Sequence, residues 1–183
     1  MAAEFGCSHY IRKCKLVTPC CDKVYICRCC HDEIEDHTVN RRAVTELICA
    51  CCGLRQPVRA TCVICQTRFG KYTCLECNLF DNEDKSQFHC YDCGLCRIGG
   101  ANNYFHCRKC NTCLALRLID NHKCVENASR TNCPVCVEDL HTSRTPCYVP
   151  KCGHFLHENC CQELLKKGHP LCPICEAPLD NVV

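Results

Sequence analysis

Pairs of cysteine with two residues between them recur along this chain, and they leave it few ways to fold. They stand at Cys27/Cys30, Cys49/Cys52, Cys62/Cys65, Cys74/Cys77, Cys90/Cys93, Cys107/Cys110, Cys133/Cys136 and Cys172/Cys175, with histidines close by. A C-x-x-C turn brings two sulfurs near one ion, and two pairs complete the tetrahedron that zinc prefers. The chain has 29 cysteines and 10 histidines in 183 residues. Those cysteines inflate the hydrophobic fraction of 47%, and with no Trp and one Met the supply for a packed core is poor. Small modules with little core need disulfides or metals to hold them. A structural zinc contributes about 10–16 kcal/mol to folding its module.

Disulfides are the rival explanation, and they belong to oxidising compartments. The opening residues, Met1 to His9, contain no apolar run of signal-peptide length, and no stretch is long enough to span a membrane. The cysteine number is odd. Metal binding in a reducing compartment is therefore the expectation. A net charge of +2, with basic residues scattered or in pairs such as Arg41-Arg42 and Arg108-Lys109, argues against a nucleic-acid surface.

Three blocks follow one another. The first runs from Cys7 to Cys65. Twelve of its side chains are chosen as ligands for three sites: Cys7, His9, Cys20, Cys21, Cys27, Cys30, His31, His37, Cys49, Cys52, Cys62 and Cys65. Cys14 is an alternative to Cys21, and Cys51 to Cys49. Cys14, Cys29 and Cys51 are otherwise spare, as small buried hydrophobes. The second block contains an internal repeat. Phe88-His89-Cys90-x-x-Cys93-x-x-Cys96 recurs 17 residues on as Phe105-His106-Cys107-x-x-Cys110-x-x-Cys113. With Cys74, Cys77, His122 and Cys124 this again gives twelve ligands and three sites. Short hairpins with Gly94, Gly99 and Gly100 at turns are expected. Overlapping pairs allow several partitions, and spacing does not choose among them.

The third block supplies Cys133/Cys136, Cys152/His154, His157/Cys160 and Cys172/Cys175. These pairs can interleave, the first with the third and the second with the fourth. Glu158 to Lys167 reads as a helix, acidic at its start and basic at its end, with Gly168 past it and Pro170 ending any continuation. Cys147 and Cys161 are spare, and His141 and His169 are expected to be solvated. Thirty-two of the 39 cysteines and histidines are thereby used, in eight sites.

The interleaved block resembles a RING finger with two central histidines. The first block resembles the CHY zinc finger through Cys7-x-His9-Tyr10, Pro19-Cys20-Cys21, Tyr25-x-Cys27-x-x-Cys30-His31-Asp32, His37 and Arg41. The second resembles the CTCHY zinc finger. In that order the modules resemble one family, the RING finger and CHY zinc-finger domain-containing ubiquitin ligases. The fold implied is a small metal-stabilised multi-module protein. It has a CHY finger (1–68), CTCHY zinc ribbons of short hairpins (69–131), a cross-brace RING with a small sheet and one helix (132–177), and a tail (178–183).

The resemblance also implies a function. A ubiquitin-conjugating enzyme carrying ubiquitin docks on a shallow apolar platform, and the ligase brings its thioester to a substrate lysine without a catalytic residue of its own. The platform positions here are Val135, Leu164 or Leu165, Pro173 and Ile174. Zinc is the cofactor: about eight ions, three in CHY, three in CTCHY and two in the RING. The partners implied are that enzyme and a protein substrate, a transcription regulator among the types to consider, with no membrane partner. The compartments are nucleus and cytoplasm. Glu176 departs from the pattern, because many active RINGs carry a basic residue there. Larger members of the family continue past the RING, whereas this sequence ends eight residues after Cys175; either substrate recognition falls on the upstream modules or the chain is a short form or fragment. Two other functions compete: a non-enzymatic zinc-finger adaptor or nucleic-acid binder, and a metal or redox sensor using the spare thiols. A relay through Cys161 is discounted, since it adjoins ligand Cys160 on the helix and lacks an activating neighbour.

Overall fold

The computed structural model describes residues 5–180. The first four residues of the CHY block, and residues 181–183 of the tail, lie outside the described residues. The chain divides into two compact units. One comprises the residues up to His89 together with Cys96–Gly99, and the other comprises Cys90–Leu95 and the residues from Gly100 on. The division falls inside the second motif block.

The first unit is built on a four-stranded antiparallel sheet. Its strands are β1 (Cys14–Thr18), β2 (Lys23–Tyr25), β3 (Glu46–Cys49) and β4 (Arg55–Pro57), in the order β2-β1-β3-β4. A short helix, α1 (Arg28–Asp32), follows β2. In β1, Cys14, Leu16, Val17 and Thr18 are buried while Lys15 is exposed. Leu16 faces Leu47 across the ladder, and Cys14 faces Cys49. Leu16, Leu47, Val39, Val44, Phe69 and Phe80 form the core with Cys14, Cys49 and Cys62. Phe69 and Phe80 meet edge to face at 6.0 Å. Phe80 arrives on a hairpin of β5 (Tyr72–Cys74) and β6 (Leu79–Asp81). At its turn Asn78 donates to the carbonyls of Arg41 and Val44, each at 2.8 Å.

The next hairpin, β7 (Phe88–Cys90) and β8 (Leu95–Arg97), contributes residues to both units. In the second unit β9 (Tyr104–Cys107) pairs with β10 (Thr112–Ala115), and β11 (Cys147–Tyr148) with β12 (Leu156–His157). Helix α2 (Glu158–Lys166) follows β12 directly. It ends where the sequence requires: Gly168 takes φ +77 and its N–H bonds to Leu165. One core runs through this unit. Cys107, Cys110, Leu114 and Ala128 share it with Cys133, Leu140, Cys152, Phe155, Leu156, Cys161, Cys172 and Leu179. The RING is therefore packed against the last hairpin of the preceding block. His141 belongs to this packing and corrects the expectation of a solvated ring. It is 3% exposed, and Nε2 meets the Cys93 carbonyl at 3.1 Å. A buried imidazole needs such a partner.

The knuckles share one backbone device. The residue after the second cysteine has positive φ at Gly53, Gln66, Asn78, Gly94, Asn111, Val137 and Glu176. Its N–H bonds back to the first cysteine's carbonyl in five of these, at 2.8–2.9 Å for Gly53, Gly94, Asn111, Val137 and Glu176. Glycine and asparagine tolerate this conformation, but a β-branched residue does not. Val137, at φ +63 and 70% exposed, is the misfit. Replacing Val137 with Asn is expected to stabilise the chain by about 1 kcal/mol. Thermal unfolding should show it as a rise of about 2–4 °C.

Candidate metal centres

The knuckles deliver their side chains into compact four-residue groups. In the first unit these are Cys7/His9/Cys27/Cys30, Cys20/Cys21/His31/His37, Cys49/Cys52/Cys62/Cys65 and Cys74/Cys77/His89/Cys96, each with its ligand atoms within 4.8 Å of one another. The second unit gathers Cys90/Cys93/His106/Cys113 in the same way. Cys107 lies 3.7 Å from Cys124, whose sulfur is 3.0 Å from His122 Nε2, and Cys110 adjoins both of these cysteines. In the RING, Cys136 lies 3.2 Å from His157 Nδ1, with Cys133 and Cys160 beside it. Cys172 lies 3.8 Å from His154 Nδ1, with Cys152 and Cys175 beside it. The first pair thus joins the third and the second joins the fourth, in the interleaved order.

The partition of the second block follows from strand geometry. Neighbouring residues of a strand point to opposite faces. On β7, His89 goes to the group of Cys74 and Cys77, while Cys90 goes to that of Cys93 and His106. On β9, His106 and Cys107 separate in the same way. Each repeat therefore gives its histidine and last cysteine to one group and its central pair to the next.

The spare thiols fall outside these groups. Cys14 is buried in the sheet and its thiol is pushed up to about 11 by that burial. Cys161 is fully buried, and burial raises it too. Cys29 is half-buried, and Cys51 is exposed. The expectation that all three spare thiols of the first block are buried holds only for Cys14. Cys51 sits at the turn after β3, where its neighbours Cys49 and Cys52 face the group. Cys147 lies 3.4 Å from the Leu140 carbonyl. His169 is exposed, as expected.

The donor sets suit zinc. At a Zn–S distance of about 2.3 Å, a tetrahedron places sulfurs about 3.8 Å apart. Observed separations are 3.7 Å for Cys7–Cys27, 3.6 Å for Cys49–Cys65 and Cys52–Cys62, and 3.5 Å for Cys93–Cys113. A disulfide needs about 2.05 Å, and no two cysteines of the described residues are joined by one. His37 Nε2 is buried without a hydrogen-bond partner. Such an atom is costly unless it ligates. Several thiols are already biased toward the thiolate. The Thr67 hydroxyl at 3.2 Å draws Cys65 down to about 6, Thr18 at 3.1 Å draws Cys21 to about 7, and Cys96 draws Cys77 to about 5. Burial pushes Cys49 and Cys160 up to about 12. A coordinated divalent ion reverses that penalty, because a ligating thiol gives up its proton. Four protein ligands leave no open position, so these are structural centres.

The residues expected to form the docking platform are placed unequally on the RING surface. Pro173 is exposed and Ile174 is 55% exposed at the tip of the last knuckle. Val135, Leu164 and Leu165 are half-buried against the core. Two further apolar side chains beside these knuckles are exposed and were not singled out from the sequence: Val137 at 70% and Leu171 at 48%. The knuckle pattern at Cys136 and Cys172 was the signal available for both.

Comparison with known proteins agrees with this geometry. The CHY zinc finger model matches residues 7–72, and the Ring finger domain model matches residues 131–176. The rice E3 ubiquitin-protein ligase SRFP1 (Oryza sativa subsp. japonica) is 44% identical over 178 residues, covering 96% of this chain and 68% of SRFP1. The E3 ubiquitin-protein ligase RZFP34 of Arabidopsis thaliana is 40% identical over 184 residues, covering 95% of this chain and 63% of that one. A BRUTUS-like zinc finger protein of Arabidopsis thaliana is 45% identical over 182 residues, or 97% of this chain. There the chain spans only 14% of the relative's length.

Proposed function

We propose, from the premise that the chain belongs to the RING finger and CHY zinc-finger family, that it acts as a RING-type ubiquitin-protein ligase. The observation that carries this reading is the last knuckle, where Pro173 and Ile174 stand exposed on a rigid, interleaved pair of centres. A ubiquitin-conjugating enzyme docks there, with Val135, Leu164 and Leu165 beneath and Val137 and Leu171 as further apolar contacts. The chain's residues supply no nucleophile. They hold the docked enzyme's thioester near a substrate lysine, which is catalysis by proximity and orientation. The buried Cys161 fits this reading, because a relay needs an accessible thiolate.

All thirty-two ligands act together in this reading, and the chain carries eight zinc ions: three in CHY, three in CTCHY and two in the RING. Bound zinc supplies structure and no chemistry on ubiquitin. The upstream modules recruit substrate, and the first unit presents exposed Ile34, Ile64 and Leu75 for contact. The substrate is a protein, with transcription regulators among the types to test, and the compartments are nucleus and cytoplasm.

Self-ubiquitination with a panel of conjugating enzymes tests the proposal. Replacing Ile174 with Ala is expected to keep all zinc and weaken binding of the conjugating enzyme about tenfold, the scale of a central interface anchor. Cys161→Ala should leave transfer intact. A wild-type chain inactive with every conjugating enzyme, but binding nucleic acid with steep salt dependence, would favour the adaptor instead.

A further inference from the structure

The run Asp32-Glu33-Ile34-Glu35-Asp36 separates two ligand histidines in the sequence, and three of its carboxylates end on imidazoles. Asp32 Oδ1 lies 2.8 Å from His31 Nδ1, Glu33 Oε1 lies 2.9 Å from His9 Nε2, and Asp36 Oδ1 lies 3.0 Å from His37 Nδ1. Each carboxylate takes the ring nitrogen turned away from the sulfurs. His9 faces Cys27 and Cys30 with Nδ1 at 3.6 Å, and His31 faces Cys20 with Nε2 at 3.2 Å. His37 keeps Nε2 buried and without a hydrogen-bond partner. The fourth carboxylate, Glu35, turns instead to Lys23 Nζ at 2.8 Å and to the Tyr25 hydroxyl.

This arrangement is not general to the histidines of the chain. His122 bonds its outer nitrogen to the Leu118 carbonyl at 2.7 Å, and the outer nitrogen of His157 is buried without a partner. Asp32 is held most firmly. It also accepts the Val39 N–H at 2.9 Å, lies 3.6 Å from Arg28, and its side chain is 19% exposed. Glu33 is 61% exposed and Asp36 is 99% exposed.

We infer that this one acidic turn holds two metal centres in register: Glu33 orients His9 in the first, and Asp32 and Asp36 orient His31 and His37 in the second. The inference rests on the zinc reading of those groups. A carboxylate on the outer N–H fixes the tautomer and plane of a ligating imidazole and raises its basicity. Asp32, Glu33 and Asp36 are thus positioning residues. Asp32 should matter most and Asp36 least, in the order of their burial.

The test uses the full chain, loaded with zinc for release to a chromogenic chelator and with cadmium-113 for NMR. Asp32→Asn and Glu33→Gln are each expected to speed release from one centre about tenfold or more. Each should shift the cadmium resonance of its own centre and leave those of the CTCHY and RING centres in place. Glu46→Gln, which removes an exposed carboxylate bonded to Arg55 at 2.7 Å, should change neither readout. Release within twofold of wild type for both variants would overturn the inference. So would equal acceleration by Glu46→Gln, or collapse of every cadmium resonance together, which would make the turn a general folding element. A wild-type chain with no metal in these two groups would overturn the zinc reading and this inference together. Occupied centres indifferent to the substitutions would overturn this inference alone.

Discussion

Replacing Cys172 with Ala is expected to abolish ubiquitin transfer and release the metal of the last centre. Cys172 is 1% exposed, lies 3.8 Å from His154 Nδ1, and shares the core of the second unit with Phe155, Leu156 and Cys161. An intact structural zinc contributes about 10–16 kcal/mol, which exceeds or rivals the whole stability of an ordinary domain. Losing it unlatches the knuckle that carries Pro173 and Ile174. The damage should spread to the other RING centre, because the two ligand sets alternate along the chain. Cys147→Ala is the comparator. It removes a half-buried thiol outside every group, and should cost about 1–2 kcal/mol and keep all metal. Zinc release and circular dichroism on both variants check the pair. Equal behaviour of the two would contradict the assignment of Cys172.

Gly153→Ala should be the most damaging change at a residue that binds nothing. Gly153 has φ +84, and an added Cβ would strike the Lys123 carbonyl oxygen and come within 2.9 Å of Val125 Cγ2. The backbone conformation alone costs about 1–2 kcal/mol for an L-residue, and forcing atoms into a filled space adds about 1–3 kcal/mol. The glycine lies between ligands Cys152 and His154, and the segment it touches brackets ligand Cys124. The substitution therefore pushes apart two centres in one unit. A loss of about 2–5 kcal/mol, with faster zinc release and little transfer, is the expected result. A loss under about 1 kcal/mol in denaturant unfolding would contradict the close packing of the RING against the Lys123 and Val125 segment.

These two predictions differ in how far the sequence could have led to them. Cys172 was legible as a ligand because its pair completes a spacing that only an interleaved arrangement uses well. Helix α2 was legible to within a residue from Glu158, Lys166 and Gly168. The role of Gly153 was not, since it depends on a backbone oxygen thirty residues upstream. The partition of the CTCHY ligands stayed open because overlapping pairs look alike in one dimension. The alternation of His89 and Cys90 on a strand decides it, and that needs the strand. His141 was misjudged because an isolated histidine in a polar loop gives no sign of the carbonyl it will meet. The acidic run before His37 was visible, but its pairing with His9 requires the fold to return Glu33 to the start of the chain.

The central claim is that metal, and not cystine, holds this chain together. Native mass spectrometry of the 183-residue chain, purified without added chelator or oxidant, tests it most directly. The account predicts the mass of the fully reduced chain plus eight zinc ions, with all 29 thiols recovered for alkylation after denaturation in chelator. A chain carrying little zinc, lighter by two hydrogen atoms for each sulfur–sulfur bond and resistant to alkylation, would contradict it.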